Sequence, residues 1–163
     1  GPALTSAAAD GGHSWPITSG IHTGKHLIVH GNASSTSLYD PAIHTMAAGP
    51  SMISLAISGS FSYGISSGPH AGKNIVITGG LLTKMYNPAT NSFSDGPLMT
   101  AVPGNGRHGF TISGGSNNGK VLIVLGSNTF LTNVYDPEAH NFTVGPSLAA
   151  LGAPTDSGHS FVP

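Results

Sequence analysis

Histidine is the residue type in this chain with the most chemical potential, and nine occur among 163 residues. Four lie in the first 30 residues. On a β-strand, His26 and His30 would share one face about 13 Å apart at about 3.3 Å per residue, too far for one metal ion. His22 belongs to the loop before them. We therefore predict polar side chains in a chain with few charges, and no metal site.

The other residue types that carry chemistry form no recognisable catalytic arrangement. The chain has no cysteine, which excludes disulfides and thiolate chemistry. Its carboxylates at Asp10, Asp95, Glu138 and Asp156 fall in non-equivalent loops, so no acid–base pair is indicated. No Gly-x-Ser-x-Gly elbow or phosphate-binding loop is present. We predict that this chain alone is not an enzyme and that it holds no cofactor.

Composition restricts the partners. Charged residues make up 7% of the chain, with five basic against six acidic residues, so a nucleic-acid partner is not expected. No run of eighteen apolar residues occurs, so no membrane span is predicted. Asn32-Ala33-Ser34 and Asn141-Phe142-Thr143 match the glycosylation acceptor pattern. We predict a secreted or cell-surface protein, with glycosylation candidates at Asn32 and Asn141.

The chain is built from repeats of near 50 residues, a length that indicates a solenoid, propeller or array. Gly-Pro recurs at residues 1, 49, 96 and 145, and an apolar residue stands at the fourth position of every copy. We assign one domain, 1–163, with repeats 1–48, 49–95 and 96–144. A partial fourth repeat, 145–163, ends inside a predicted first strand.

Each repeat predicts four β-strands. A first strand of alternating small and large residues is followed by a glycine-rich turn, as expected for a half-buried strand. The second strand is a short apolar run between glycines, which predicts burial on both faces. The third ends at Tyr-Asp-Pro or Tyr-Asn-Pro, where Asp or Asn bonds forward to the backbone and Pro pre-sets φ. The fourth stops at Gly-Pro. These turns stand at Tyr39-Asp40-Pro41, Tyr86-Asn87-Pro88 and Tyr135-Asp136-Pro137.

This pattern resembles the kelch repeat of galactose-oxidase-like proteins. The likeness rests on a Gly-His first strand, a Gly-Lys second strand, Tyr-Asp-Pro and an aromatic residue before Gly-Pro. It departs at the fourth strand, where the kelch tryptophan is replaced by Met46, Phe93 or Phe142. The resemblance implies an all-β fold with three four-stranded antiparallel β-propeller blades, a partial propeller. Copper radical oxidases share this blade type, but their cysteine–tyrosine cofactor cannot form without cysteine.

Equivalent positions on the innermost strands of such blades carry further expectations. His13, His108 and His159 could line a central channel, or could make a structural hydrogen bond to the neighbouring blade. The recurring tyrosines are explained by packing between blades. The aromatic residues that could contact a ligand between blades are Trp15, Tyr63 and Phe110.

Three blades do not obviously close a ring, since propellers have four to eight. We therefore predict a structural or interaction module that assembles with other protein chains, as a homo-oligomer, or with the remainder of a longer propeller. One alternative is a fragment of a larger secreted galactose-oxidase-like enzyme. Another is a glycan-binding propeller.

Overall fold

The chain folds into three antiparallel four-stranded sheets in a computed structural model that describes residues 1–54, 56–57, 60–126 and 130–148. The one helical element in this part is a 3-10 turn at Gly115–Asn117. The predicted all-β fold is confirmed, and the predicted strand near residue 160 lies outside the described residues. The strands are β1 His13–Pro16, β2 His26–Val29, β3 Thr36–Asp40, β4 Thr45–Ala48, β5 Phe61–Gly64, β6 Asn74–Ile77, β7 Thr83–Asn87, β8 Ser92–Asp95, β9 His108–Thr111, β10 Val121–Val124, β11 Thr132–Asp136 and β12 Asn141–Val144.

Each sequence repeat forms one sheet whose strands pair in chain order. Sheet 1 is β1–β4, sheet 2 is β5–β8 and sheet 3 is β9–β12. The register is the same in all three, with Leu27 opposite Leu38, Ile75 opposite Met85 and Leu122 opposite Val134. Short loops between sequential strands favour this antiparallel order.

Two hydrophobic clusters fill the spaces between successive sheets. One joins Leu27 and Leu38 of sheet 1 to Val76 and Tyr86 of sheet 2. The other joins sheet 2 to Ile123, Tyr135 and their neighbours in sheet 3. Sheet 2 is therefore packed on both faces, while sheets 1 and 3 are each packed on one face by another described sheet.

Burial of the second strands follows from this arrangement and corrects the sequence prediction. In β6, Ile75, Val76 and Ile77 are all fully buried, as predicted. In β2 and β10, however, Ile28 and Leu122 are only half-buried. In sheet 2, the residues equivalent to these two each face a neighbouring sheet. The apolar run predicts a two-sided strand, but two-sided burial requires a sheet on each side.

A threonine fixes the end of every repeat. The hydroxyls of Thr36, Thr83 and Thr132 donate to the carbonyls of the Gly-Pro prolines at 2.7 Å in all three copies. The following backbone is held as well, because the glycine N–H donates to the threonine carbonyl at 2.9, 3.0 and 2.9 Å. Strand three and the segment leaving strand four are thereby joined at a fixed distance. The accepting carbonyls are those of Pro50, Pro97 and Pro146.

The Tyr-Asp-Pro turns adopt the predicted geometry. Asp40 and Asn87 each accept a hydrogen bond from the N–H two residues later at 3.0 Å, and Asp136 does so at 2.9 Å. The turn closes through a residue with positive φ, which is His44, Asn91 or His140 at 55°, 49° and 50°. The tyrosine hydroxyl contacts the side chain of that residue in every repeat, at 2.9, 3.1 and 2.9 Å.

Candidate functional site

The first-strand histidines make a local hydrogen bond. His13 Nδ1 lies 3.0 Å from the carbonyl of Gly11, and His108 Nδ1 lies 3.3 Å from that of Gly106. Because a carbonyl only accepts, Nδ1 carries the proton and Nε2 of the neutral ring is an acceptor. This structural hydrogen bond therefore stays within the segment that carries the histidine. It does not reach the neighbouring sheet, contrary to the prediction. His159 lies outside the described residues.

His13 carries a buried acceptor between sheets 1 and 2. Its Nε2, like Trp15 Nε1 on the same strand, is buried without a partner among the described residues. Burial lowers the pKa of His13, so the ring is held neutral. An acceptor and a donor therefore stand close together, with their rings stacked at 5.7 Å. Buried polar atoms of this kind call for water or a ligand group.

The predicted ligand-contacting aromatics have a packing role that recurs. Trp15 meets Tyr86 of the next sheet at a ring distance of 5.9 Å and an angle of 67°. Tyr63 meets Tyr135 in the same way at 5.8 Å and 61°. Edge-to-face contact is a favourable geometry for aromatic pairs. Packing between sheets therefore accounts for Tyr86 and Tyr135, as predicted.

The third aromatic residue, Phe110, differs from the other two. It is half-buried on β9, and no described residue forms the equivalent aromatic contact with it. Tyr39 is the reverse case, since it is half-buried while Tyr86 and Tyr135 are fully buried. Phe110 on sheet 3 and Tyr39 on sheet 1 are thus equivalent to the two partners of an aromatic contact that forms at both junctions between sheets.

A pocket of about 410 Å³ lies between the first strands of sheets 1 and 2. Trp15 and Tyr63 both line it, together with the hydroxyl-bearing Ser14 and Ser62 and the amide-bearing Asn74. The structure therefore brings together two of the three predicted aromatics and leaves Phe110 elsewhere. An aromatic wall with a few polar groups is a common form of small-molecule site.

Loops also link successive sheets, through a glycine of positive φ. A Cβ added at Gly20 or Gly68 would overlap the carbonyl of Pro88 or Pro137 in the next sheet. The φ values of these glycines are 81° and 74°, a region that favours glycine. Pro88 and Pro137 are buried beneath these loops, whereas the equivalent Pro41 is exposed.

Two ion pairs explain the Gly-Lys motif, and the sequence analysis missed them. Lys25 Nζ lies 3.2 Å from Asp40 in sheet 1, and Lys120 Nζ lies 3.1 Å from Asp136 in sheet 3. The bond from Lys25 lowers the pKa of Asp40. The signal in the sequence is that Gly-Lys and Tyr-Asp recur together in the same repeats.

Sheet 2 departs from this pairing because Asn87 replaces the aspartate. Lys73 Nζ instead lies 3.2 Å from Nδ1 of His70. The His70 ring contacts that of His140 in sheet 3, with centroids 3.9 Å apart. Burial, followed by the charge of Lys73, lowers the pKa of His70. For His140, burial is again the largest cause of a lowered pKa, and His70 and Lys73 add to it.

The other asparagines and carboxylates considered from the sequence, where the structure describes them, lie at exposed positions. Asn32 and Asn141 are exposed, at a turn and at the start of β12. Asp95 pairs with Lys84 on the neighbouring strand, and Asp10 and Glu138 are exposed. Within the described ranges, no group of three or more His, Cys, Asp or Glu side chains is placed to hold a metal ion. The same ranges contain no helix with the length and apolar character needed to cross a membrane.

No model of a known protein family matches this chain, and no curated protein matches it in sequence.

Proposed function

We propose that this chain is a structural or interaction module of a secreted or surface protein, built from kelch-like propeller blades that join other chains or the rest of a longer propeller. The observation that carries the proposal is the pair of incomplete contacts on the outer sheets. Sheet 3 offers Phe110 and sheet 1 offers Tyr39, the two halves of the contact made by Trp15 with Tyr86.

Three further features of the outer sheets likewise lack contacts that their equivalents make at the junctions. Leu122 and Ile28 are the half-buried counterparts of residues that are fully buried at the inner junctions. Gly115, with a φ of 67°, is equivalent to Gly20 and Gly68 but meets no described atom within 4 Å. Pro41 is the exposed counterpart of the prolines that those glycines cover. Head-to-tail contact between two copies would bring each half to its counterpart.

Such a contact is heterologous, so it either closes into a ring or continues as a filament. We favour a second copy of the chain as the partner in solution, because both halves of the contact are on one chain. Low charge and exposed acceptor residues at Asn32 and Asn141 favour a location outside the cytoplasm.

Light scattering after size-exclusion chromatography tests the assembly. We expect a mass above that of one 16.3 kDa chain, rising with concentration. Phe110→Ser and Tyr39→Ser should each lower the mass, because each removes one half of the aromatic contact. Leu98→Ser, at a residue that is 60% exposed, is the matched control and should leave it unchanged. A concentration-independent monomer would refute the assembly.

Glycan binding is a second candidate, favoured by the pocket that Trp15 and Tyr63 line. Trp15 is the single tryptophan, so its fluorescence reports on this site directly. We expect neutral saccharides to change the emission in a saturable way, and Asn74→Ala to weaken the effect while Asn118→Ala, on an exposed turn, does not. A panel of saccharides with no saturable change would remove this candidate.

A further inference from the structure

The junction of sheets 2 and 3 holds a cation that lacks the partner of its counterparts. Lys25 and Lys120 each pair with the aspartate of their own Tyr-Asp-Pro turn at 3.2 and 3.1 Å. In repeat 2 that residue is Asn87, and no carboxylate of the described residues lies within 4.0 Å of Lys73 Nζ. Comparison of the three repeats therefore shows that asparagine in place of aspartate at this turn removes the counter-charge of the lysine.

Each histidine ring at this junction has one N–H that can donate to a ligand. An ammonium group has no lone pair, so Lys73 donates to Nδ1 of His70 and the His70 proton is on Nε2. Burial raises the pKa of Tyr135 to about 12, so its hydroxyl keeps its proton. In the equivalent contact Tyr86 donates to Asn91. By analogy with that contact we assign Tyr135 as the donor to Nδ1 of His140, an arrangement in which Nε2 of that ring carries the proton.

We propose that Lys73, His70 and His140 form a binding site for an oxyanion group, such as sulfate, phosphate or the carboxylate of a larger ligand. Charge-assisted hydrogen bonds from several N–H donors are the usual means of holding such groups. The site lies where the loop after β5 packs on the turn after β11, in contact through Gly68 and Pro137. It is independent of the proposed assembly, because all its residues belong to one chain.

The charged groups around this junction are few. Asp136 is held by Lys120 and by backbone N–H groups, and Glu138 is exposed on the turn that carries His140. Tyr135 faces His140 from β11 as a neutral group. Protonation of either histidine would add positive charge beside Lys73. Anion binding should therefore tighten as the pH falls through the pKa values of these two rings, which burial holds below the ordinary histidine value of about 6.5.

Asn87→Asp is the decisive variant. It restores the residue found in the other two repeats, and its carboxylate can still accept the bond from Ala89 N that Asn87 accepts. The new carboxylate should pair with Lys73 and compete with the anion. Lys73→Met removes the cation directly. Lys25→Met and Lys120→Met are matched controls, since each changes the same position in another repeat.

The measurement is a sulfate titration of the histidine ring signals by nuclear magnetic resonance, at constant ionic strength. We expect a saturable shift of the His70 and His140 signals, weakened about tenfold or more in Asn87→Asp and Lys73→Met. Both controls should bind as the parent chain does. Glucuronate should shift the His70 and His140 signals and glucose should not, even though Lys73 also lines the pocket beside Trp15. A larger affinity for glucuronate than for sulfate, measured on these signals, would assign the anion to a larger ligand.

Several outcomes would overturn the proposal. These are the absence of a saturable shift with both sulfate and glucuronate, undiminished binding by Asn87→Asp, or equal binding of glucose and glucuronate. The Asn87→Asp chain should unfold at the same urea concentration as the parent or higher. Loss of binding therefore cannot come from loss of fold.

Discussion

At the scale of single residues, the repeats are held by side chains that do the same thing three times. Thr36, Thr83 and Thr132 make the same 2.7 Å bond to a proline carbonyl. The three tyrosines each contact the residue that closes their turn. Where a position changes, the contact changes with it, as Asn87 and Lys73 illustrate. Single substitutions are therefore informative when an equivalent residue serves as the reference.

Thr83→Val should destabilise the chain by about 1 kcal/mol or more, because it leaves the partly buried carbonyl of Pro97 without its donor. Thr83 is 1% exposed. Thr90→Val is the matched control, since its hydroxyl contacts only Ser92 on an exposed turn. Urea unfolding followed by circular dichroism measures both. Equal midpoints for the two variants would contradict the role given to Thr83.

At the scale of strands and loops, contacts between sheets depend on glycines as much as on apolar side chains. Gly20 and Gly68 allow a loop to approach the turn of the next sheet at van der Waals distance. Gly119 has a similar φ, 83° against 74° at Gly68, but no described atom lies within 4 Å of an added Cβ. Substitutions at Gly119 and Gly68 therefore separate the cost of backbone strain from the cost of crowding between sheets.

Gly119→Ala should cost about 1 kcal/mol, the penalty of a side chain in the left-handed region. Gly68→Ala should cost clearly more, because the methyl group also pushes against the carbonyl of Pro137. Thermal unfolding measures both, and the His70 ring signal shows whether the junction has opened. Equal losses in the two variants would mean that the loop contact does not hold sheets 2 and 3 together.

The strands and their order could be predicted because each depends on local pattern. Apolar runs between glycines, the Tyr-Asp-Pro turns and the Gly-Pro stops are properties of a few consecutive residues. Recurrence also predicted that the tyrosines pack between sheets, but the partners in most other long-range contacts could not be predicted in this way. The approach of Gly68 to Pro137 and the meeting of His70 with His140 join residues distant in sequence, and so does the pairing of Lys25 with Asp40 within sheet 1. Their pairing depends on how strands and sheets are oriented.

At the scale of the whole molecule, stability depends on histidines held neutral at and beside the junctions. The pKa values of His13, His30, His70 and His140 are all lowered, with burial as the first cause. His30 is fully buried, and its two ring nitrogens contact Ser35 and Ser37 at 3.0 and 2.9 Å. Protonation of these rings would therefore destabilise the folded chain at several sites at once.

The stability of the chain should therefore fall as the pH is lowered through about 6.5. A folded-state pKa below the unfolded value means that the unfolded chain binds more protons, so stability rises with pH. It is fully present above the unfolded pKa of about 6.5 and is lost progressively as the pH falls towards and below the folded-state values. Urea midpoints between about pH 7.5 and pH 5, in a buffer without oxyanions, measure the slope.

The double variant His70→Asn with His140→Asn should show a smaller slope than the parent chain. Asn117 and Asn91 occupy the equivalent positions in other repeats, so both substitutions suit the local backbone. His44→Asn, on an exposed turn with the same positive φ, should keep the parent slope. Midpoints that stay constant with pH, or a double variant with the parent slope, would show that the His70–His140 pair does not couple protonation to sheet packing.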